Sequence, residues 1–150
     1  MKRSTASRAQ TRRNSLGKEH AAKAFMEERD PLTERIIGCA IAVHRELGPG
    51  LLESVYETPL CIQLAKAGLR FERQRVIPLI YEGVYVGDYK PDLIVEGEVV
   101  VDVKSVLHFE PVFIAQMLTY LKITGLRRGL ILNFNKAVLK AGIKRVTRFD

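Results

Sequence analysis

The chain has 150 residues, of which 47% are apolar, and its formal net charge is +7. This length suits a single domain with its own hydrophobic core. No apolar run approaches the ~20 residues that a membrane span needs, and the N-terminus has no apolar stretch like that of a secretory signal. We therefore expect a cytoplasmic protein that does not bind membranes.

Charge is unevenly distributed along the chain. Residues 1–30 carry a net charge of +4, residues 31–121 a net charge of −4, and residues 122–150 a net charge of +7. Basic segments on both sides of an acidic body are typical of a protein with a polyanionic partner. Charge alone leaves open the alternative that these residues serve only solubility.

The first 18 residues are rich in Ser, Thr and Arg and have almost nothing to bury. Such a composition is typical of disordered segments. We therefore predict a basic, disordered arm over residues 1–30, within which residues 19–29 could form a short helix, and one folded domain over residues 31–150.

Two helices are predicted at the start of this domain. Thr33 is the expected N-cap of the first, whose apolar residues recur at helical spacing up to the GPG sequence at residues 48–50. The second is predicted from Leu52 to Ala67. Pro59 lies inside it and should kink the helix or mark a looser turn.

The rest of the domain is predicted to form strands around a third helix. That helix spans residues 110–124, with Pro111 in its first turn and Gly125 at its end. The strands are predicted at residues 70–81, 84–95, 98–106, 128–134 and 142–149. The order α, α, β, β, β, α, β, β predicts an α/β or α+β fold with a sheet packed against helices.

The hairpin formed by the second and third of these strands carries charges where apolar side chains are usual. Asp102 and Lys104 share one face, because side chains alternate along a strand. A three-residue loop would pair Val95 with Val99 and would put Asp92 opposite Asp102. Opposed carboxylates repel each other unless one is protonated, both reach water, or a cation lies between them.

A metal ion is one way to stabilise these carboxylates. Mg²⁺ takes oxygen ligands, and one or two carboxylates suffice. Lys104 could then position a water molecule or stabilise charge developing on a phosphate. The alternative is a structural Asp–Lys pair on an exposed strand face.

Three polar residues of the helices could join this site. Glu53 has helical spacing to the apolar residues Tyr56 and Leu60, which would put it on the core-facing stripe, where a carboxylate needs a partner. It could equally lie in the first turn, where the helix dipole favours an acid. Gln116 and Tyr120 share one face of the third helix, either as polar rim residues or as groups that orient a phosphate or water.

Four sequence blocks together resemble a known family. They are "GPGLLESVYE", "YKPDLIVEGEVVVDVKSV", "AQMLTYLKITG" and "GLILNFN". The chain is similar over roughly residues 33–148 to the PD-(D/E)xK nuclease-like superfamily, and more narrowly to the small bacterial proteins called GxxExxY. The naming motif stands here as Gly50, Glu53 and Tyr56. The middle acid is Asp102, where Glu is commoner.

The resemblance implies a restriction-endonuclease-like αβββαβ core with a mixed sheet flanked by helices. It implies that Asp92 and Asp102 bind Mg²⁺ or Mn²⁺, with Glu53 completing the site. Lys104 would support the attacking water or the transition state. The resemblance also implies that Gln116 and Tyr120 are the Q-x-x-x-Y element of the RecB-like nuclease branch.

The function expected from these features is metal-dependent hydrolysis of phosphodiester bonds in DNA or RNA, with little sequence specificity. A basic segment would hold the nucleic-acid backbone through Arg127, Arg128, Lys136, Lys140, Lys144 and Arg145. The alternative is a noncatalytic module that keeps the nuclease fold and binds nucleic acid or a protein. The sequence leaves homo-oligomerisation open.

Overall fold

The computed structural model describes residues 30–149, so the predicted arm lies outside the described residues except for Asp30. The helices are α1 (Pro31–Leu47), α2 (Glu53–Lys66) and α3 (Pro111–Thr124). The strands are β1 (Phe71–Arg73), β2 (Ile77–Tyr81), β3 (Val84–Tyr89), β4 (Leu93–Val95), β5 (Val99–Lys104), β6 (Arg128–Asn133) and β7 (Ile143–Thr147). A short 3₁₀ helix, Leu139–Gly142, precedes β7. None of the helices within residues 30–149 is long and apolar enough to cross a bilayer.

The first helix begins earlier than the sequence predicted. The backbone N–H of Thr33 donates to Asp30 Oδ1 and its hydroxyl donates to Asp30 Oδ2, both at 2.8 Å. Asp30 is therefore the N-cap, and the prediction of Thr33 was wrong. Pro31 suits the first helical position, because a backbone N–H there would have no partner within the helix. An Asp N-cap accepts a hydrogen bond from the backbone N–H of the third helical residue, which is Thr33 here.

Five strands form one mixed sheet in the order β1-β4-β5-β6-β7. The β4–β5 hairpin is antiparallel, β5 and β6 are parallel, and β7 pairs antiparallel with β6 at the edge. Helix α3 connects the two parallel strands, as a parallel pair requires a long crossover. This arrangement confirms the predicted mixed sheet flanked by helices and agrees with a restriction-endonuclease-like fold.

The prediction of a single strand over residues 70–81 was wrong. Strand β1 ends at Arg73, because Gln74 has a φ of +54° and leaves the extended conformation. The Gln74 N–H donates to the carbonyl of Asp92 at 3.0 Å. After this turn the chain starts β2, which pairs only with β3 in a separate two-stranded sheet within the described residues.

The core lies on both faces of the main sheet. On one face, Val100 and Ile131 pack against Met117 and Leu121 of α3. Helix α3 approaches closely because a side chain at Gly129 would overlap Met117. On the other face Val101 and Val103 are also buried, and α2 contacts β5. Side-chain alternation therefore directs Asp102 and Lys104 towards the α3 face.

Candidate active site

Asp102 and Lys104 form a shielded ion pair on the α3 face of β5. Asp102 is only 6% exposed, and its Oδ2 lies 3.3 Å from Lys104 Nζ. The same Nζ lies 4.5 Å from the ring centroid of Phe113 on α3. A buried cation needs such partners. The carboxylate and the aromatic face therefore hold the ammonium group in place.

Asp92 lies directly before β4, at the end of the hairpin. The predicted register is confirmed, because Val95 pairs with Val99. Asp92 Oδ2 accepts a hydrogen bond of 2.7 Å from the backbone N–H of Val103. Its Oδ1 accepts one of 3.1 Å from the side-chain amide of Gln74. One carboxylate oxygen of Asp92 is thus held by β5 and the other by the turn after β1.

Burial raises the pKa of Asp92 from its ordinary 3.8 to about 6. A hydrogen bond with Asp102 and the charge of that residue raise the pKa further, whereas the hydrogen bonds from Val103 and Gln74 lower it. The two carboxyl groups therefore interact, and their negative charges disfavour each other. A cation between them would remove this conflict.

The donor set fits a hard divalent ion. Carboxylate oxygens are the ligands that Mg²⁺ and Mn²⁺ prefer, and Mg²⁺ is often held by one or two carboxylates while keeping several waters. Within residues 30–149 there is no group of three or more His, Cys, Asp or Glu side chains arranged to hold a metal ion. Asp92 and Asp102 are therefore the two protein carboxylates available at this position.

Glu53 does not form such a group with Asp92 and Asp102. It is exposed in the first turn of α2, after the N-cap residue Leu52. Of the two placements that the sequence left open, the core-facing one is therefore wrong and the one in the first turn is confirmed. The helix starts at this residue, so no preceding turn exists to cover it, and the helix dipole favours an acid there.

Sequence reasoning missed a buried carboxylate one turn further on. Glu57 is 7% exposed, and its Oε2 lies 2.6 Å from Arg73 Nε. The side-chain amide of Gln74 donates to both Glu57 oxygens, at 3.2 and 3.3 Å, as well as to Asp92. Glu57 has helical spacing to the buried Leu60 and Leu64, and this signal was available in the sequence.

Helix α3 contributes a buried hydroxyl to the site. Burial raises the pKa of Tyr120 to about 12, and the charges of Asp102 and Asp92 act in the same direction. Tyr120 therefore remains a neutral phenol with an O–H to donate. Its ring meets that of Tyr89 edge-on at 5.4 Å between centroids. Gln116 lies one turn earlier on the same helix and is half-buried.

Tyr56, the tyrosine of the G-x-x-E-x-x-Y pattern, contacts the loop between α1 and α2 and the residue after β6. The hydroxyl of Tyr56 donates to the carbonyl of Gly48 at 2.6 Å and accepts from the N–H of Leu51 at 3.1 Å. Its ring stacks on Phe134 with 4.4 Å between centroids. Tyr56 therefore fastens the loop between α1 and α2.

The predicted basic residues do not share one face of the sheet. Lys144 of β7 pairs with Ile131, which pairs with Asp102, so Lys144 lies on the α3 face. The pairings of Arg128 and Arg145 place them on the opposite face. The other three lie in loops and the 3₁₀ helix on either side of β6, at Arg127, Lys136 and Lys140.

The central hairpin of this mixed sheet directs two carboxylates and a lysine towards the crossover helix. This is the arrangement of a nuclease-like α/β protein. A family model described as the PD-(D/E)XK nuclease superfamily matches residues 30–146. The chain belongs to that superfamily. No curated protein and no solved structure matches it significantly. Nucleases of this superfamily generally use divalent metals and act on nucleic acids.

Proposed function

We propose that the protein is a nuclease that uses Mg²⁺ or Mn²⁺ to hydrolyse phosphodiester bonds in DNA or RNA, with little sequence specificity. One observation carries the proposal. Asp92 lies opposite Asp102 on the hairpin and interacts with it, and Lys104 Nζ lies 3.3 Å from Asp102. Charged groups that are buried or half-buried, as these are, are costly unless they serve a function or have a partner.

Asp92 and Asp102 would hold the metal ion. When bound, such an ion polarises a phosphate oxygen and lowers the pKa of a water ligand. Lys104 places a fixed positive charge beside the carboxylates, where it stabilises negative charge that develops on the phosphate. Tyr120 can donate its O–H, and Gln116 its amide, to a phosphate oxygen or to water.

We also propose the narrower assignment to GxxExxY proteins and to the Q-x-x-x-Y branch. The burial of Tyr120 on α3, where the charges of Asp102 and Asp92 raise its pKa, supports it. The hydroxyl of Ser105, the residue after Lys104, donates to the carbonyl of Leu51 at 2.5 Å. The segment that leads into Glu53 is therefore attached to the end of β5. This attachment supports a role for Glu53 as an additional acid, which would have to approach Asp92 and Asp102 to share a metal ion with them.

Metal binding is the first test. Asp102→Asn should weaken Mn²⁺ binding, measured by calorimetry, by about 10-fold or more, because one of two charged ligands is lost. Asp88→Asn, which neutralises an exposed acid of β3, is the control and should bind Mn²⁺ as the unsubstituted chain does. Equal Mn²⁺ affinity in all three proteins would show that the metal is not held here.

Cleavage is the second test, on labelled single-stranded and duplex DNA and RNA with Mn²⁺. Lys104→Met should keep Mn²⁺ affinity within a few-fold and lose about 100-fold or more in rate. Lys122→Met on the exposed side of α3 should cleave normally. Equal rates in Lys104→Met and the unsubstituted protein would contradict the proposed role of Lys104. Metal binding without any cleavage would favour a noncatalytic binding module.

A further inference from the structure

A pocket of about 490 Å³ is lined by residues that take no part in the proposed metal site. One wall is the last turns of α1, and the other is residues 137–140, with Gly48 and Pro49 between them. The volume lies in the range of small-molecule sites in proteins, roughly 300–1,000 Å³. A single nucleotide is a ligand of this size class.

The lining of this pocket combines apolar surface with positive charge. Ile41, Pro49 and Val138 supply apolar contacts, and the exposed Arg45 and Lys140 supply two cations. None of the lining residues that the structure describes is acidic. An apolar surface suits the flat face of a base, and the two cations suit a phosphate. The pocket therefore suits a nucleotide in both size and charge.

Phe134 connects the pocket to Lys104. Its N–H donates to the carbonyl of Lys104 at 2.9 Å, and its ring lies 6.1 Å from the ring of His44, a pocket residue. His44 Nε2 donates to the carbonyl of Lys136 at 2.8 Å, so it holds the segment before residues 137–140. The pocket and the proposed site thus lie at the same end of the parallel strands β5 and β6.

The Tyr56 contacts contribute to the same pocket. Its hydroxyl holds Gly48, which has a φ of +72° and lines the pocket, and its ring stacks on Phe134. These contacts give Tyr56, the last residue of the G-x-x-E-x-x-Y pattern, a role in this pocket. Its hydroxyl shapes a pocket wall, and its ring supports the residue that follows β6.

We propose that this pocket binds one unpaired nucleotide of the substrate strand, with the base against Ile41 and Val138 and a phosphate at Arg45 and Lys140. The inference rests on the proposed nuclease function and names its substrate class. A base paired in a duplex cannot enter a pocket of this kind without leaving its partner. The protein therefore prefers single-stranded or frayed nucleic acid over a closed duplex.

Two pocket variants of the full chain test the proposal. Arg45→Ala/Lys140→Ala removes both cations, and Val138→Trp fills the pocket without changing charge. The control, Lys66→Ala/Lys122→Ala, removes two exposed lysines elsewhere. Binding of labelled oligothymidylate and of a blunt duplex is measured with EDTA present, so that it does not depend on cleavage. Thermal unfolding checks that each variant is folded.

Both pocket variants should bind the single strand about 10-fold more weakly, with a change of less than about 3-fold for the duplex. The control should match the unsubstituted protein within about 3-fold for both ligands. Adenosine 5′-monophosphate should displace the single strand, and inorganic phosphate should do so less well. Failure of the protein to cleave would overturn the proposed function without altering these binding results.

Three results would overturn the pocket proposal. The first is normal single-strand binding by Val138→Trp. The second is an equal loss for strand and duplex, which would indicate general electrostatic attraction. The third is that adenosine 5′-monophosphate binds but does not displace the single strand, which would indicate a site for free nucleotides.

Discussion

At the scale of single residues, the interaction between Asp92 and Asp102 is the most informative feature. Burial raises the pKa of Asp92 first, and the neighbouring Asp102 raises it further, so that the charged form of Asp92 is costly in the folded chain. The hydrogen bond from Val103 to Asp92 and the contact between Lys104 and Asp102 offset part of it. The residues of the proposed site therefore bear on stability as well as on activity.

This cost predicts how Asp92→Asn changes stability with pH. The pKa of Asp92 is about 6 in the folded chain, above its ordinary 3.8. The folded state thus binds more protons than the unfolded state between these values, so stability falls as pH rises through them. Asparagine carries no charge, and its oxygen can still accept from Val103. The variant should be more stable than the unsubstituted protein at about pH 7.5, by about 1–2 kcal/mol after allowance for partial exposure.

The measurement is denaturant unfolding with EDTA at several pH values. The gain of Asp92→Asn should disappear below about pH 3, where Asp92 is protonated in both the folded and the unfolded state. Asp88→Asn should show no such pH-dependent gain. A variant that is less stable than the unsubstituted protein by the same amount at every pH would show that packing, rather than charge, decides the effect.

At the scale of elements, Glu57 joins helix α2 to the end of strand β1. Its carboxylate contacts Arg73 at 2.6 Å and accepts from Gln74, the residue at which the strand turns away. The same Gln74 holds Asp92. The break between β1 and β2 therefore places Gln74 where its side chain can bond both Glu57 of α2 and Asp92 of the proposed site.

Removal of this link should destabilise the fold. Glu57→Ala removes the carboxylate that Arg73 contacts and one of the acceptors of the Gln74 side-chain amide. We therefore expect the free energy of unfolding to fall by about 1–2 kcal/mol. Glu72→Ala breaks a pair with Arg75 in which both side chains are more than half exposed, and it should cost less than about 0.5 kcal/mol. Equal losses in the two variants would show that the buried link has no special role.

At the scale of the whole molecule, the charge pattern predicts salt-dependent binding of nucleic acid. The basic residues after position 121 lie on two faces and in the loops, so only some can reach a strand bound at the proposed site. Lys144 is the clearest of these, since it shares a face with Asp102 and its Nζ lies 5.4 Å from the ring of Phe109. Affinity should therefore depend on a few phosphate contacts.

The expected result is a single-strand affinity that falls by about 10-fold or more between about 50 and 200 mM salt. Lys144→Ala should weaken binding and reduce the log–log slope by about 0.7, the value for one lost contact to a single strand. Lys122→Ala should leave the slope unchanged. Titrations by fluorescence anisotropy with EDTA measure both quantities. An unchanged slope in Lys144→Ala would exclude this lysine from the interface.

Much of the fold followed from local rules that the sequence carries. The limits of α3, the buried strand β6 and the register of the β4–β5 hairpin depend on Pro111, Gly125 and the alternation of side chains. That same alternation placed Asp102 and Lys104 on one face. These predictions hold because each depends on residues close together in the chain.

Long-range packing decided the rest. Only the tertiary structure shows that Gln74 leaves β1 to bridge Glu57 and Asp92, that Glu53 is exposed, and that the basic residues are divided between two faces. The sequence determined which side chains each strand and helix can present. The packing of α2 and α3 against the sheet determined which carboxylates meet, since partners distant in the chain decide whether a charged side chain is buried or exposed.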